Sequence, residues 1–582
     1  MITDQVPPQA PPLDATGAGA TSVQSARPRW MPAAIAAVVI LAVLIGVVAG
    51  MTLNNRKAGG SASAAADYVP ADATVYYELR LDLPGDQRAT LETLLGHFPA
   101  EATTFLLGGG LDSALDAGSA AQPGGLSYTT DVQPWFDGSL ATAMIGYPQL
   151  SSASGMASAM PDMLVFAGVK DADAARSAID RARAASGLSD VTSTTHDGVT
   201  IWSASVSKGS GTTMSVAWAV TADEVVMGTG SDLVATALDV HAGTQPSLAG
   251  RTEFINGLAR LPADRVATVS MDTAAILDAV QSQMASAAPS AAPLFDAMTA
   301  QAATFVVGSA RIEGDRLVMD ESAALPSAST LSNHDTKLAE AVPGDALFYA
   351  STSDVGTHLA AAIQSMMGAM GSAAPADQLP QLQSILGGDL SSMVSWIGDT
   401  AVVAGETGNE PYAGLVITPT DAQEASVRLG QLQGLLQLGA SSDGSQVTVT
   451  DAEHNGTKIT TITFGGAPAS AAWASSIQYA VTDARVIIGT GNSFVARVLD
   501  MTSAGSLAGQ ARFANAMDAL GGASNTGETW VDLAGIRTAV ETAMGSALPP
   551  GVDEWVTPFD YLAAASRVDS GRLEAHAVLV VK

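Results

Sequence analysis

Two periodicities alternate along the chain. Runs in which apolar and polar residues take turns, VTSTTHDGVTIWSASV at 191–206, TMSVAWAVTADEVVMGTG at 213–230 and RVDSGRLEAHAVLVVK at 567–582, predict half-buried strands. RTEFINGLARL at 251–261 and ARFANAMDAL at 511–520 instead repeat their apolar residues every three or four positions, which predicts amphipathic helices. The turns between strands are short, and the Asp-Gly pair before Val199 and the Asn-Gly pair before Thr457 suit tight primed hairpins. Mainly antiparallel strands with helices set apart from them read as an α+β fold. MASAAPSAAP at 284–293 and AMGSAAPADQLP at 369–380 read as surface connections.

One stretch obeys neither period. From Pro32 to Leu53, PAAIAAVVILAVLIGVVAGMTL holds 22 residues without a charge. At about 1.5 Å of rise per residue, a helix of that length crosses roughly 30 Å of hydrocarbon. Arg27, Arg29 and Trp30 stand before it, and Arg56 and Lys57 follow it, as at the two boundaries of a membrane. We read residues 31–54 as a transmembrane helix that meets the lipid bilayer through 32–53, residues 1–30 as a disordered cytoplasmic tail, and residues 55–66 as a flexible linker. Basic residues flank both ends equally, so orientation follows the tendency of long domains to translocate. The span is then an uncleaved signal anchor, single-pass in the cell membrane, with the large C-terminal region extracytoplasmic.

Beyond the linker the sequence says one thing twice. YVPADATVYYELRLD from Tyr68 is echoed by AVPGDALFYASTSDV from Ala341, and QPWFDGSLATAM around Trp135 by VSWIGDTAVVAG around Trp396. KDADAARSAIDRAR from Lys170 answers TDAQEASVRLGQLQ from Thr420, and THDGVTIWSASV answers EHNGTKITTITF. AVTADEVVMGTGSDLVATALD then pairs with AVTDARVIIGTGNSFVARVLD, SLAGRTEF at 247–254 with SLAGQARF at 506–513, VSMDTAAI with TWVDLAGI, and ARIEGDRL at 310–317 with SRVDSGRL at 566–573. Eight echoes in one order mark an internal duplication of units about 260 residues long. We place the first α+β unit at 67–325, a connection at 326–340 and the second unit at 341–582.

The duplication explains the glycines of GTGSDLVATALD (from Gly228) and GTGNSFVARVLD (from Gly489). A dinucleotide fingerprint needs a third glycine, but Leu233 and Phe494 stand there. The segments read as a turn, an N-cap at Ser231 or Asn492, and a helix. Other chemistry is sparse. The seven histidines (97, 196, 241, 334, 358, 454 and 576) form no HExxH or comparable metal spacing, and only His196 and His454 recur as a pair, beside the hairpin turns they are expected to shape. Ser205 and Lys208 have the spacing of an acylation motif without its companions, while Asp171, Asp173, Asp272 and Asp532 read as helix-start charges and caps. Trp135 and Trp396 read as core anchors.

Composition narrows the classes further. With 57 acidic against 26 basic residues the net charge is −31, which argues against nucleic acid as a partner, and the absence of cysteine removes disulfides and thiolate chemistry. VPADATVYYELRLDLPGDQ at 69–87, LSYTTDVQPWFDGSLATAM at 126–144 and SLAGRTEF at 247–254 resemble the DUF3352 family of bacterial membrane-anchored proteins, with the departure that Leu83-Pro84-Gly85-Asp86 carries a single proline. The resemblance implies an N-terminal span and a large extracytoplasmic region, and it brings no catalytic roles. We therefore expect an interaction or scaffold protein of the bacterial envelope with no catalytic residue, cofactor or metal site assigned, whose partner is an envelope protein or a small ligand. The alternatives are a non-enzymatic ligand-binding or sensor protein using a cleft between the units, and a hydrolase whose active site assembles from distant residues.

Overall fold

Burial follows position in the sheet. Central strands such as Glu224–Gly228 are covered almost throughout, whereas Val447–His454, at a sheet edge, is exposed along most of its length. In this computed structural model the described residues are 63–80, 83, 85–100, 127–146, 162–185, 191–208, 212–287, 295, 299, 302–327, 329–371, 390–408, 410–443, 447–465, 475–491 and 493–582. Their fold is α+β, with a 20-stranded, antiparallel sheet.

The strands are β1 (Ala73–Arg80), β2 (Phe136–Ile145), β3 (Asp162–Val169), β4 (Thr192–His196), β5 (Val199–Lys208), β6 (Thr212–Val220), β7 (Glu224–Gly228), β8 (Ala267–Met271), β9 (Phe305–Glu313) and β10 (Arg316–Ala324). The second set is β11 (Ala346–Thr352), β12 (Ile397–Thr407), β13 (Glu410–Pro419), β14 (Val447–His454), β15 (Thr457–Phe464), β16 (Ser476–Val481), β17 (Val486–Thr490), β18 (Gly527–Val531), β19 (Phe559–Asp569) and β20 (Arg572–Val581). In the first half the pairings run β4-β5-β6-β7-β3-β2-β1-β8-β9-β10. The second half repeats the series from β14 to β20 with each strand number raised by ten. The two series meet where β10 pairs with β20, from Arg316 opposite Val580 to Ala324 opposite Arg572, so the strand order of the whole sheet is palindromic.

Each half keeps its own apolar core. Tyr68, Tyr76, Phe166, Phe254 and Phe305 are fully or almost fully buried in the first, and Tyr349, Phe494, Phe513 and Trp530 fill the second. Trp135 and Trp396 are buried in smaller corresponding clusters, each indole donating to a nearby backbone carbonyl, Asp131 O at 2.7 Å and Met393 O at 2.8 Å, which bears out their reading as anchors. The matching helices start under similar caps. Asp272 accepts from the amide of Ala275 at 2.9 Å and Asp532 from that of Gly535 at 3.0 Å; Asp171 accepts from Ala174 at 3.0 Å, and Asp173 pairs with Arg176 at 2.8 Å.

Some expectations shift. The residue at the cap of helix Ser231–His241 is Gly230, and the Ser231 hydroxyl turns to Asp232, so the anticipated serine cap is not formed; Asn492 lies outside the described residues. The folded region also starts earlier than Asp67. Ala64–Asp67 is a 3-10 turn with Ala65 and Ala66 buried, where the linker was expected to run to Ala66. Its counterpart, Leu338–Glu340, buries Leu338 and Ala339 inside the expected connection. Helix Thr273–Ala287 enters the stretch at 284–293, and helix Val355–Gly371 enters the one at 369–380; the remainder of each stretch lies outside the described residues. The apolar run 32–53, with the tail before it, also lies outside them, and among the described residues no helix is long and apolar enough to cross a membrane.

The position of the missing third glycine has a packing role. A Cβ on Gly489 would stand 2.2 Å from the Phe494 ring, and one on Gly414, its partner across β13 and β17, would stand 2.1 Å from the same ring. In the first half Leu164 stands opposite Gly228 and Leu233 takes the sequence place of the phenylalanine, while the side chains nearest a Cβ on Gly228 are Val234 at 3.1 Å and Leu164 at 3.3 Å. Gly489→Ala is expected to destabilise the protein by about 1–3 kcal/mol through overpacking. Adding Phe494→Leu should return part of that loss, a coupling read from chemical denaturation of the two single variants and the double; purely additive losses would refute it.

Candidate functional site

A cleft of about 710 Å³ opens in the first half, between hairpin β4–β5, strand β6 and two helices. The hairpin is shaped by its turn. Asp197 and Gly198 have φ of 46° and 83°, the left-handed pair of a type I′ turn, and Asn455 and Gly456 repeat it with 49° and 82°. The turn puts His196 opposite Val199 and, three pairs along, Ser193 opposite Trp202. Trp202 in turn lies opposite Trp218 on β6, so two indoles share one face of the sheet beside the cavity.

The opposing walls come from helices Ala172–Ala185 and Ser231–His241. The first contributes Arg176, Ile179 and Asp180, and its Arg183 lies over the Trp202 ring at 4.7 Å. The second ends in Leu238 and His241. His241 stacks on Tyr68 with ring centroids 3.9 Å apart and planes 3° from parallel. Tyr68 is fully buried; its hydroxyl donates to Asp223 Oδ1 at 2.7 Å and lies 3.0 Å from Thr221 Oγ1. Burial pushes the phenol's pKa far up, and although the Thr221 contact opposes this, the charge of Asp223 adds to it, so Tyr68 stays a donor at neutral pH.

At the rim, His196 Nε2 lies 2.7 Å from Asp239 Oδ1. That hydrogen bond raises the imidazole pKa, burial opposes the rise, and the charges of Asp239 and Asp197 reinforce it. The pair pins the hairpin tip to the end of the helix, and His454 makes the same tie to Asp500 at 2.9 Å. Both histidines therefore do shape their turns, but through an acidic partner that no local motif announced.

The rest of the second-half site differs. Thr460 and Tyr479 face each other where the first half has Trp202 and Trp218, and Ala341 stands where the first half has Tyr68. The Tyr479 hydroxyl is fastened to Gln433 on helix Ala422–Asp443 at 2.9 Å. The described lining of this cleft comes from the first half. Among its described lining residues there is no serine, Thr200 and Thr221 carry its hydroxyls, and His196 is held by Asp239, so these residues supply walls and hydrogen-bonding groups. Ser205 is exposed on β5 and is not among the lining residues.

Two carboxylates are buried in the first half, Glu224 and Glu78. Glu224 begins β7 with 1% of its surface exposed, and its Oε2 has no hydrogen-bond partner. Burial raises its pKa well above the usual carboxylate range, and the charges of Asp137, Asp223 and Glu78 raise it further. Glu78 is raised by burial too, with Arg265 opposing. The second half places Arg485 at the position of Glu224.

The family model described as "Protein of unknown function (DUF3352)" matches residues 34–580. No curated protein matches the chain. Among solved structures, crystal form III of TP0453 is 9% identical over 46% of this chain and 82% of that one, with a TM-score of 0.23; crystal form I is 8% identical over 47% and 82%, also at 0.23. Likeness at that level is too slight to carry an argument.

The buried carboxylates give a pH dependence of definite sign. A carboxyl group whose pKa is higher in the folded than in the unfolded chain favours folding while protonated, and that contribution is lost as pH rises through the folded pKa. Glu224→Gln is therefore expected to raise the melting temperature at pH 8, with the advantage over wild type shrinking as pH falls toward the unperturbed glutamate value of about 4.3. Thermal melts of both proteins across that range check it, and a variant no more stable than wild type at pH 8 would count against it.

Proposed function

Because the chain belongs to the DUF3352 family, whose description assigns no activity, we propose from its own residues that it is a non-catalytic binding protein of the bacterial envelope. In this reading the first half captures a small organic molecule in its cleft. The observation that carries it is the aromatic lining, Trp202 and Trp218 on one wall and the exposed His241, backed by the buried Tyr68, on another, around about 710 Å³. Such a wall accepts the apolar body of a ligand, while Arg176, Asp180 and Thr200 supply polar contacts at its edge. The scaffold role is the second reading, supported by the strong negative charge, which favours basic partners.

The membrane tether belongs to the same proposal. It rests on the uncharged run from Pro32 to Leu53 and the basic residues on either side. With the short tail inside, the acidic region stands outside the cell membrane. We also read the two halves as products of one duplication, supported by the ordered sequence echoes and the palindromic strand order.

Two measurements test these claims. Native mass spectrometry of the full chain, extracted in detergent from its own membranes, is expected to show a retained small-molecule mass, with Trp202→Ala weakening retention about tenfold. A stoichiometric protein partner with no small mass would replace ligand capture with the scaffold reading. The full chain is also expected to stay with the membrane pellet after an alkaline wash, and deletion of 32–53 to release it; release of the intact chain would defeat the tether.

A further inference from the structure

We propose that His196, Asp197 and Asp239 form a binding site for a divalent transition-metal ion at the rim of the cleft. One imidazole nitrogen and one oxygen from each carboxylate all lie within 4.8 Å of one another. Ligands of a four-coordinate zinc ion, each about 2.0–2.2 Å from the metal, stand roughly 3.3 Å apart, so small side-chain adjustments bring this trio to coordinating distance. The supports are regular structure: His196 and Asp197 sit at a type I′ hairpin turn, and Asp239 lies in the last turn of helix Ser231–His241. His196 and Asp197 also line the cavity, which leaves its side of the site open to water or a ligand atom.

The second half provides an internal control. There the turn residue is Asn455, whose side-chain amide donates to Asp500 Oδ1 at 2.8 Å while His454 Nε2 lies 2.9 Å from both Asp500 oxygens. That cluster closes on itself with one carboxylate, one imidazole and one amide donor. In the first half the amide donor is replaced by a second carboxylate, so two acids face one imidazole. A bound cation resolves that imbalance, and a mixed nitrogen and oxygen donor set suits zinc or manganese better than calcium or magnesium.

A second trio, His334, Asp354 and Asp399, also has donor atoms within 4.8 Å of one another. Its carboxylates sit at opposite ring nitrogens, Asp354 at 3.0 Å from Nε2 and Asp399 at 3.3 Å from Nδ1, the layout of a clamp and not of donors converging on one point. The metal proposal does not depend on the cleft holding an organic ligand, since the ion needs only the three side chains.

The test is calorimetric titration of the metal-stripped, detergent-solubilised full chain with zinc chloride, with bound zinc counted by native mass spectrometry. Wild type is expected to bind one ion that Asp197→Asn loses or holds at least tenfold more weakly. Asn455 occupies the same turn conformation in the second half, so this variant should keep its melting temperature in the absence of metal. His334→Asn should leave the zinc count unchanged. The proposal is overturned if wild type takes up no zinc, if Asp197→Asn binds as tightly as wild type, or if the ion is lost with His334→Asn instead.

Discussion

The pairing of β10 with β20 is the constraint on which the architecture rests. Each half is an antiparallel series that would otherwise end in an open edge, with a row of unpaired amides and carbonyls. Joining the edges satisfies both rows and makes one sheet from two cores. The register is written in polar groups on one face. Asp320 stands opposite His576, which it meets at 2.7 Å, and Ser322 stands opposite Glu574, which it meets at 2.9 Å while accepting from Arg572 Nε at 2.7 Å. Asp320, Ser322 and Glu574 are all buried, so a slip of one residue would separate each from its partner and leave charge buried against apolar neighbours.

Much of the local structure was legible in the sequence because its causes are local. Asp-Gly and Asn-Gly fixed the left-handed turns at Asp197 and Asn455, alternation marked the strands, and Asp272 and Asp532 announced their caps. The order of strands across the sheet was not legible, since β8 returns to pair with β1 and β7 with β3 through contacts that no spacing rule encodes. The site was hidden for the same reason. Tyr68 and His241 are far apart in the chain, and only the fold stacks them. Asp239 looked like an ordinary helix residue until the hairpin tip came to rest on it.

The two halves also show how one packing problem admits different residues. Arg251 reaches Asp272 at 2.7 Å and lies over the Phe305 ring; Arg512 reaches Asp532 at 3.0 Å and lies over Trp530. Aligned by their SLAG segments, these arginines are two residues out of step, with Gln510 at the place of Arg251. A cation beside the helix cap is kept while its address moves. At the cleft the opposite happens: equivalent positions carry Trp202 or Thr460, Trp218 or Tyr479, Tyr68 or Ala341, so the framework is common and the lining is not.

The seam between β10 and β20 has a bearing on how the chain reaches its fold. During synthesis Arg316–Ala324 emerges long before Arg572–Val581, so the first half must wait with a folded core and a sticky flank. Contacts of such long sequence separation form slowly, because the intervening loop has to close before any of them is made. Until then β10 offers a template to the same strand of a neighbouring nascent chain. The hazardous moment in the life of this protein is thus a delay in its own production, and a holding chaperone that shields one strand would be enough to bridge it.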